Sequence, residues 1–255
     1  MMIGQNRIQN INNFDFPLII LVGNSNMGKS VVAEYIAEKT KSSFVRCGNK
    51  VEEVREVIDI SYKQIEPIVY FFKDIQLMNV SGLNSLLKVT EEPPFKARFI
   101  LSVDAKEHCL ATLLSRAFVI ELEPYSIKEL KEYANLKGLE FSYNNCIYSP
   151  GTLELVNKFD YKDMYKDIEG FCDSLTYKKG LELVKNIKFK DEDEGWNLLL
   201  FLNTLEQMII EKIGYLKASS YILKFSNFRK SLFYVGVNKK MQLEKLLFDL
   251  IQGGI

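Results

Sequence analysis

The chain has 255 residues, of which 47% are hydrophobic and 26% are charged, and its formal net charge is zero. This composition is ordinary for a globular protein and argues against a disordered chain. No apolar run approaches the ~18 residues that a membrane-spanning helix needs, and the residues up to Arg7 lack the apolar core of a signal peptide. Basic and acidic residues are balanced, and the sequence contains no cluster of basic residues of the kind that direct DNA binders carry. We therefore expect a cytoplasmic protein with no membrane partner.

The cysteines and the histidine give little support for a metal or nucleophilic site. Cys47, Cys109, Cys146 and Cys172 are scattered, with no Cys-x-x-Cys pair. Closely spaced cysteine pairs mark structural zinc sites, and regular cysteine spacings mark disulfide frameworks. His108 is the single histidine of the sequence, so catalysis by histidine has little to build on. The sequence predicts no zinc and no disulfide framework.

Short apolar runs alternate with helical stripes in the first half of the chain. Strands are predicted at residues 17–22, 44–46, 67–72, 98–103 and 118–122. Helices are predicted at residues 28–40, 51–62 and 81–92, the last stopped by Pro93 and Pro94. Strands that alternate with helices predict a parallel, three-layered α/β domain, which we assign to residues 1–124.

The pattern becomes helical after Pro124. Residues 126–180 predict short helices, with breaks at Gly138, Pro150-Gly151 and Gly170. Longer helices follow from Glu194, with an apolar stretch at residues 197–217. The last helix is predicted from an N-cap at Asn238 to Gly253 and carries one apolar stripe. We assign two helical domains, at residues 125–180 and 181–255.

Residues 23–30 read Gly-Asn-Ser-Asn-Met-Gly-Lys-Ser and fit the phosphate-binding pattern Gly-x4-Gly-Lys-Ser. In such a loop the backbone N–H groups surround the phosphates, Lys29 reaches the β and γ oxygens, and the Ser30 hydroxyl binds magnesium. The alternative is a relic loop that keeps its shape and binds nothing. The predicted ligand is ATP or ADP, and the predicted nucleotide-binding residues are Gly23, Asn24, Ser25, Asn26, Met27, Gly28, Lys29 and Ser30.

The strand at residues 67–72 takes the position of the second phosphate-site strand and is followed by Lys73 and Asp74. In P-loop NTPases an aspartate in this region holds magnesium. A lysine does not ligate magnesium, and its charge opposes the ion. For Asp74 to act as this acid, the strand must slip by one residue. Such a slip moves each side chain to the other face of the sheet. Lys73 and Asp74 therefore predict a degenerate acid position, with magnesium bound weakly or absent.

Two further stretches carry a family resemblance. Residues 84–94 read Asn-Ser-Leu-Leu-Lys-Val-Thr-Glu-Glu-Pro-Pro, and residues 110–116 read Leu-Ala-Thr-Leu-Leu-Ser-Arg. With the phosphate loop, in this order and spacing, they resemble the bacterial and phage DNA polymerase III clamp-loader subunits of the AAA+ class, and the delta-prime subunit more than the main ATPase subunit. The resemblance implies a P-loop AAA+ domain, a small helical lid at residues 125–180 and a helical collar at residues 181–255.

The resemblance also implies partners and a second site. The partners are other clamp-loader subunits in a hetero-oligomeric ring, expected to be a pentamer, a sliding clamp, and primer–template DNA reached through the assembly. Arg116 stands where the family carries the arginine of a Ser-Arg-Cys motif, with Ala117 in place of the cysteine. In the family this arginine projects into the ATP site of a neighbouring subunit, where a guanidinium stabilises charge on the γ-phosphate. The alternative is a surface arginine that caps a helix.

Three departures from the ATPase subunits of the family agree with one another. Those subunits carry the aspartate that holds magnesium where this chain has Lys73, and it is followed by a glutamate, which polarises water, where this chain has Asp74. They carry a polar sensor where this chain has Val103, and valine makes no hydrogen bond. Ser149-Pro-Gly-Thr152 resembles the delta-prime lid, and no sensing arginine occurs from Ser149 to Leu155.

The resemblance therefore implies a delta-prime-like clamp-loader subunit that hydrolyses little ATP itself and presents Arg116 to a neighbour. Two alternatives stay open. One is an active AAA+ ATPase subunit of a clamp loader or a related replication remodeller. The other is a catalytically dead replication adaptor.

Overall fold

A computed structural model describes residues 5–11, 13–141, 147–158, 161–189, 196–232 and 236–254. The chain forms two compact units, Met1–Asn135 with Ser149–Gly151 and Leu136–Tyr148 with Thr152–Ile255. The division into three domains at residues 124 and 180 stays a prediction. Cys146 lies outside the described residues.

The first unit is built on a five-stranded parallel sheet. Its strands are β1 Leu18–Val22, β2 Ser43–Cys47, β3 Ile68–Phe72, β4 Ala97–Val103 and β5 Phe118–Glu121. The central strands β1, β3 and β4 are mainly apolar and almost entirely buried, as is usual for parallel strands covered on both faces. The predicted parallel α/β domain is confirmed.

Helices cover both faces of this sheet. The helices of this part of the chain are α1 Asn6–Gln9, α2 Lys29–Lys39, α3 Val51–Ser61, α4 Val80–Glu91, α5 Ala111–Leu114 and α6 Ile127–Lys137. Short 3-10 turns occupy Ile75–Leu77 and Lys106–His108. Successive side chains of a strand point to opposite faces. Phe71 therefore packs in the core with α2, whereas Phe72 packs in the core with α3 and α4.

The strand order places the carboxyl end of β1 at a topological switch point, where the chain segments that leave two adjacent strands run towards opposite edges of the sheet. The order is β2-β3-β4-β1-β5, so β1 leads towards one edge of the sheet and β4 leads towards the other. Open α/β sheets bind ligands outside the carboxyl ends of the strands at such a point. The phosphate loop follows β1 directly, and the amide of Gly23 donates a hydrogen bond of 3.1 Å to the carbonyl oxygen of Val103, the last residue of β4.

The rest of the described chain is mainly helical. Its helices are α7 Pro150–Lys158, α8 Tyr161–Ser174, α9 Tyr177–Lys185, α10 Leu198–Ile213, α11 Tyr215–Ser231 and α12 Lys239–Gly253. A short parallel pair consists of β6 Ile187–Lys188 and β7 Trp196–Asn197. Across the described ranges, none of the helices combines the length and apolar character needed to cross a membrane.

Glycines account for two differences from the predicted helices. Gly170 lies inside α8 and does not break it, because the buried stripe of α8 outweighs the ~1 kcal/mol that a helical glycine costs relative to alanine. The apolar stretch at residues 197–217 is interrupted at Gly214, whose φ of 79° ends α10. The predicted cap of the last helix is confirmed, since Asn238 Oδ1 accepts a hydrogen bond of 3.1 Å from the amide of Met241.

Candidate nucleotide-binding site

The phosphate loop joins β1 to α2 through two residues with left-handed backbone. Asn26 has a φ of 64° and Gly28 a φ of 87°. Glycine adopts this conformation without steric cost, and asparagine tolerates it better than most residues. Gly28 is the N-cap of α2, which begins at Lys29. The predicted succession of strand, loop and helix is confirmed, and nucleotide binding by the loop stays a prediction.

Lys29 is buried within this loop. Its side chain is 6% exposed, and its Nζ donates hydrogen bonds to the carbonyl oxygens of Gly23 and Asn24. Burial lowers the pKa of Lys29, while the carboxylates of Asp74 and Asp104 act in the opposite direction. The loop lysine therefore lies among oxygen acceptors at the carboxyl end of the sheet, in the region where the pattern predicts phosphate.

Asp74 approaches the loop lysine through its backbone conformation. β3 ends at Phe72, and Asp74 has left-handed dihedrals, φ 53° and ψ 56°. The amide of Asp74 donates a hydrogen bond of 2.9 Å to the Ser102 hydroxyl, and its Oδ1 lies 4.0 Å from Lys29 Nζ. From the sequence, a functional Asp74 requires a strand that slips by one residue. No slip is needed, because β3 pairs regularly with β4 up to Phe72 opposite Leu101, and the left-handed turn brings the carboxylate round.

Lys73 lies on the other side of the same carboxylate. Its Nζ is 3.8 Å from Asp74 Oδ2, and its side chain is 67% exposed. One oxygen of Asp74 therefore faces the ammonium of Lys29, and the other faces the ammonium of Lys73. The sequence shows the lysine as a missing acid, whereas the structure shows it as the partner of the neighbouring acid.

These residues do not fit a magnesium ion. Magnesium requires several oxygen ligands in near-octahedral geometry and is usually held by one or two carboxylates. The groups near the loop include the Ser30 hydroxyl, in the first turn of α2, the carboxylate of Asp74, whose two oxygens each face an ammonium group, and the carboxylate of Asp104, whose Oδ1 accepts a hydrogen bond from the amide of Ala105. A divalent cation placed there meets the repulsion of two positive charges.

Two further residues, Tyr125 and Gly151, contact the loop. The hydroxyl of Tyr125 donates a hydrogen bond of 3.2 Å to the carbonyl oxygen of Met27, and burial raises the pKa of Tyr125. A Cβ atom on Gly151 would lie 2.5 Å from the carbonyl oxygen of Asn26, so the position requires glycine. Gly151 belongs to the stretch Ser149-Pro-Gly-Thr152 that the sequence marks only by resemblance.

The structure brings part of the predicted site together and leaves one residue apart from it. The loop, Asp74 and Lys73 are linked by the contacts above, and Val103 contributes its carbonyl oxygen while its side chain lies in the core. Arg116 is exposed, and its Nη1 donates a hydrogen bond of 3.0 Å to the carbonyl oxygen of Thr112 in α5. The carbonyl groups in the last turn of a helix lack helical partners, which explains this contact.

Comparison with known proteins finds similarity to subunits of DNA polymerase III. Residues 6–126 match the family model described as DNA polymerase III, delta subunit. The chain is 31% identical over 103 residues to DNA polymerase III subunit gamma of Buchnera aphidicola subsp. Acyrthosiphon pisum, which covers 39% of this chain and 28% of that protein. It is 29% identical over 87 residues to DNA polymerase III subunit tau/gamma of Haemophilus influenzae, which covers 33% of this chain and 13% of that protein. The chain therefore spans about a quarter or less of these curated relatives.

A solved structure extends the comparison to the fold of the whole chain. A DNA polymerase III gamma subunit-related protein from Thermotoga maritima matches with a TM-score of 0.56 and 15% identity, covering 98% of this chain and 97% of that one. At this identity the likeness concerns the fold alone. The family match concerns residues 6–126, which include the phosphate loop. Residues 6–126 are therefore similar to DNA polymerase III subunits, and the whole chain shares its fold with one DNA polymerase III gamma subunit-related protein.

Proposed function

We propose that the chain is a delta-prime-like clamp-loader subunit that acts in DNA replication in the cytoplasm. It joins ATPase subunits in a hetero-oligomeric ring, expected to be a pentamer, and helps ATP-driven loading of a sliding clamp onto primed DNA. Its own loop binds ATP or ADP and hydrolyses ATP slowly or not at all. The observation that carries the proposal is an intact phosphate loop beside a carboxylate that lies between two lysines.

This arrangement separates binding from hydrolysis. The amides of the loop and the N-terminus of α2 provide donors for phosphate oxygens without a metal ion. Hydrolysis by P-loop NTPases also needs a metal that neutralises the developing charge and a group that orients the attacking water. Both oxygens of Asp74 face ammonium groups, and the side chain of Val103 is apolar and buried. The loop therefore favours a statically bound nucleotide.

Arg116 supports a role towards a neighbouring subunit. A guanidinium carries five N–H donors in a planar fork, and the hydrogen bond to Thr112 uses one of them. Within the described parts of the chain, no carboxylate forms an ion pair with Arg116. An exposed guanidinium with unused donors suits a phosphate group presented by another subunit.

The test is Arg116→Ala in a reconstituted complex, with ATP turnover measured in the presence of clamp and primed DNA. An arginine finger contributes ~10³–10⁵ in rate where it acts. Because one of several sites loses it, we expect a partial fall in total turnover. Arg116→Lys is expected to resemble alanine, since an ammonium lacks the planar fork.

Arg46→Ala is the matched control, because Arg46 is an exposed arginine paired with Glu34 and should leave turnover unchanged. Gel filtration verifies that each complex is assembled. Unchanged turnover of an intact Arg116→Ala complex contradicts the arginine-finger role.

A second candidate is an active ATPase, favoured by the 4.0 Å between Asp74 Oδ1 and Lys29 Nζ without any slip of β3. In that case the isolated chain turns over ATP, and Lys29→Ala abolishes the turnover. Absence of turnover in the isolated chain leaves the delta-prime-like role as the better account.

A further inference from the structure

Lys29, Asp74 and Lys73 form a charge cluster at the carboxyl end of the sheet. Asp74 Oδ1 lies 4.0 Å from Lys29 Nζ, and Asp74 Oδ2 lies 3.8 Å from Lys73 Nζ. Two ammonium groups therefore share the carboxylate of Asp74. The cluster lies beside the phosphate loop, where other P-loop proteins hold a metal ion.

We infer that the loop is built to bind a nucleoside diphosphate or triphosphate without a divalent cation, and that the ammonium of Lys73 supplies the positive charge that the metal supplies elsewhere. The inference rests on the proposed nucleotide binding by the loop. Beyond the proposed function, it specifies that the ligand is the metal-free nucleotide and that Lys73 takes over the role of the metal.

The contacts of the neighbouring carboxylates argue against a metal ion. Asp74 is shared between two ammonium groups. Asp104, whose charge also acts on Lys29, has its Oδ1 engaged by the amide of Ala105 at 2.9 Å and by His108 Nδ1 at 2.8 Å. A divalent cation at Asp74 must approach two positive charges, whereas a phosphate group is attracted to both lysines.

Because the side chain of Lys73 is exposed, its ammonium group is free to move from Asp74 to a bound phosphate group. The side chain is 67% exposed, and an ion pair at 3.8 Å is loose enough for the ammonium to turn to a stronger anion. Lysine is a compact point charge on a flexible four-carbon stem with three donors. The charge of Lys73 also acts on Lys29, so the two ammonium groups repel each other. A phosphate group bound between them relieves that repulsion.

The experiment measures the Kd of ADP by calorimetry, once in EDTA and once with excess magnesium. For the wild-type chain we expect binding in EDTA and a Kd that magnesium changes little. Lys73→Gln removes the charge and keeps a polar side chain of similar length. It should weaken binding in EDTA about tenfold, the scale of one charge-assisted hydrogen bond. Lys73→Asp should reverse the pattern, so that magnesium tightens binding.

Lys50→Gln is the matched control. Lys50 is 81% exposed and forms an equally loose ion pair, with its Nζ 4.0 Å from Glu53 Oε1, so its substitution should leave the Kd unchanged. Thermal unfolding checks that each variant is folded.

Three outcomes overturn the inference, and they differ in what they mean for the proposed function. A wild-type chain that binds no ADP under either condition overturns nucleotide binding by the loop, and the inference with it. A chain that binds ADP only with magnesium leaves the proposed function standing and overturns the metal-free form. Unchanged affinity of Lys73→Gln in EDTA overturns the role of Lys73 alone.

Discussion

The hydroxyl of Tyr125 donates a hydrogen bond of 3.2 Å to the carbonyl oxygen of Met27 and so orients one peptide group of the phosphate loop. In a trans peptide the C=O and the next N–H point in opposite directions. A fixed Met27 carbonyl therefore directs the amide of Gly28 away from Tyr125. The side-chain amide of Gln5, which acts on the pKa of Tyr125, forms hydrogen bonds of 2.7 and 2.8 Å with the backbone of Glu123.

Tyr125→Phe should weaken ADP binding about fivefold, because it removes one hydrogen bond of ~1 kcal/mol and leaves the ring in place. Calorimetry gives the Kd. Tyr62→Phe is the matched control, since the Tyr62 hydroxyl also donates to a backbone carbonyl, that of Glu92 at 2.8 Å. Equal affinity of Tyr125→Phe and the wild type would show that the loop keeps its shape without this contact.

Gly151→Ala should destabilise the protein by ~1–3 kcal/mol, the usual cost of forcing an extra carbon into a packed site. The added Cβ would lie 2.5 Å from the carbonyl oxygen and 2.8 Å from the Cβ of Asn26, and neither atom belongs to the flexible end of a side chain. Urea denaturation measures the change in the free energy of unfolding.

Gly170→Ala is the control substitution, for which we expect the free energy of unfolding to change in the opposite direction. Gly170 lies within α8, and the nearest atom to an added Cβ is Lys179 Nζ at 3.7 Å. Alanine there should stabilise the protein by ~0.5–1 kcal/mol, because it restricts the unfolded chain and has a higher helix propensity. A Gly151→Ala protein at least as stable as the wild type would contradict the close contact between Gly151 and Asn26.

The isolated chain should show negligible steady-state ATP hydrolysis, because Lys73 and Val103 stand where the family resemblance implies the magnesium acid and the polar sensor. Lys73→Asp should restore part of the activity by supplying an acid beside Asp74. A coupled assay measures turnover, with Lys29→Ala as the background for contaminating enzymes. Wild-type turnover near the ~1 s⁻¹ of working enzymes contradicts this expectation.

The sheet and the loop are predictable because their signals are local. A buried parallel strand such as β1 is a continuous apolar run, and the phosphate loop is a fixed pattern between a strand and a helix. Asn238 is a similar case, since an N-cap acts within one helical turn.

The remaining features of the site depend on contacts that periodicity does not encode. Tyr125 and Met27 are 98 positions apart, and they meet only because β5 lies beside β1 in the sheet. Gly151 likewise meets Asn26 across the sequence. The approach of Asp74 depends on the φ of a single residue, for which aspartate has only a weak preference.

The left-handed backbone at Asp74 also limits how this protein can be engineered into a hydrolase. Aspartate and asparagine tolerate positive φ because their short polar side chains can hydrogen-bond locally, whereas other L-residues meet a penalty of about 1–2 kcal/mol. A glutamate copied into position 74 from the ATPase subunits of the clade gains one methylene of reach on a backbone that disfavours it. Position 73 carries no such restriction, since its side chain is exposed and its φ is not among the positive ones. Any redesign for ATP turnover should therefore begin at Lys73 and keep Asp74 unchanged.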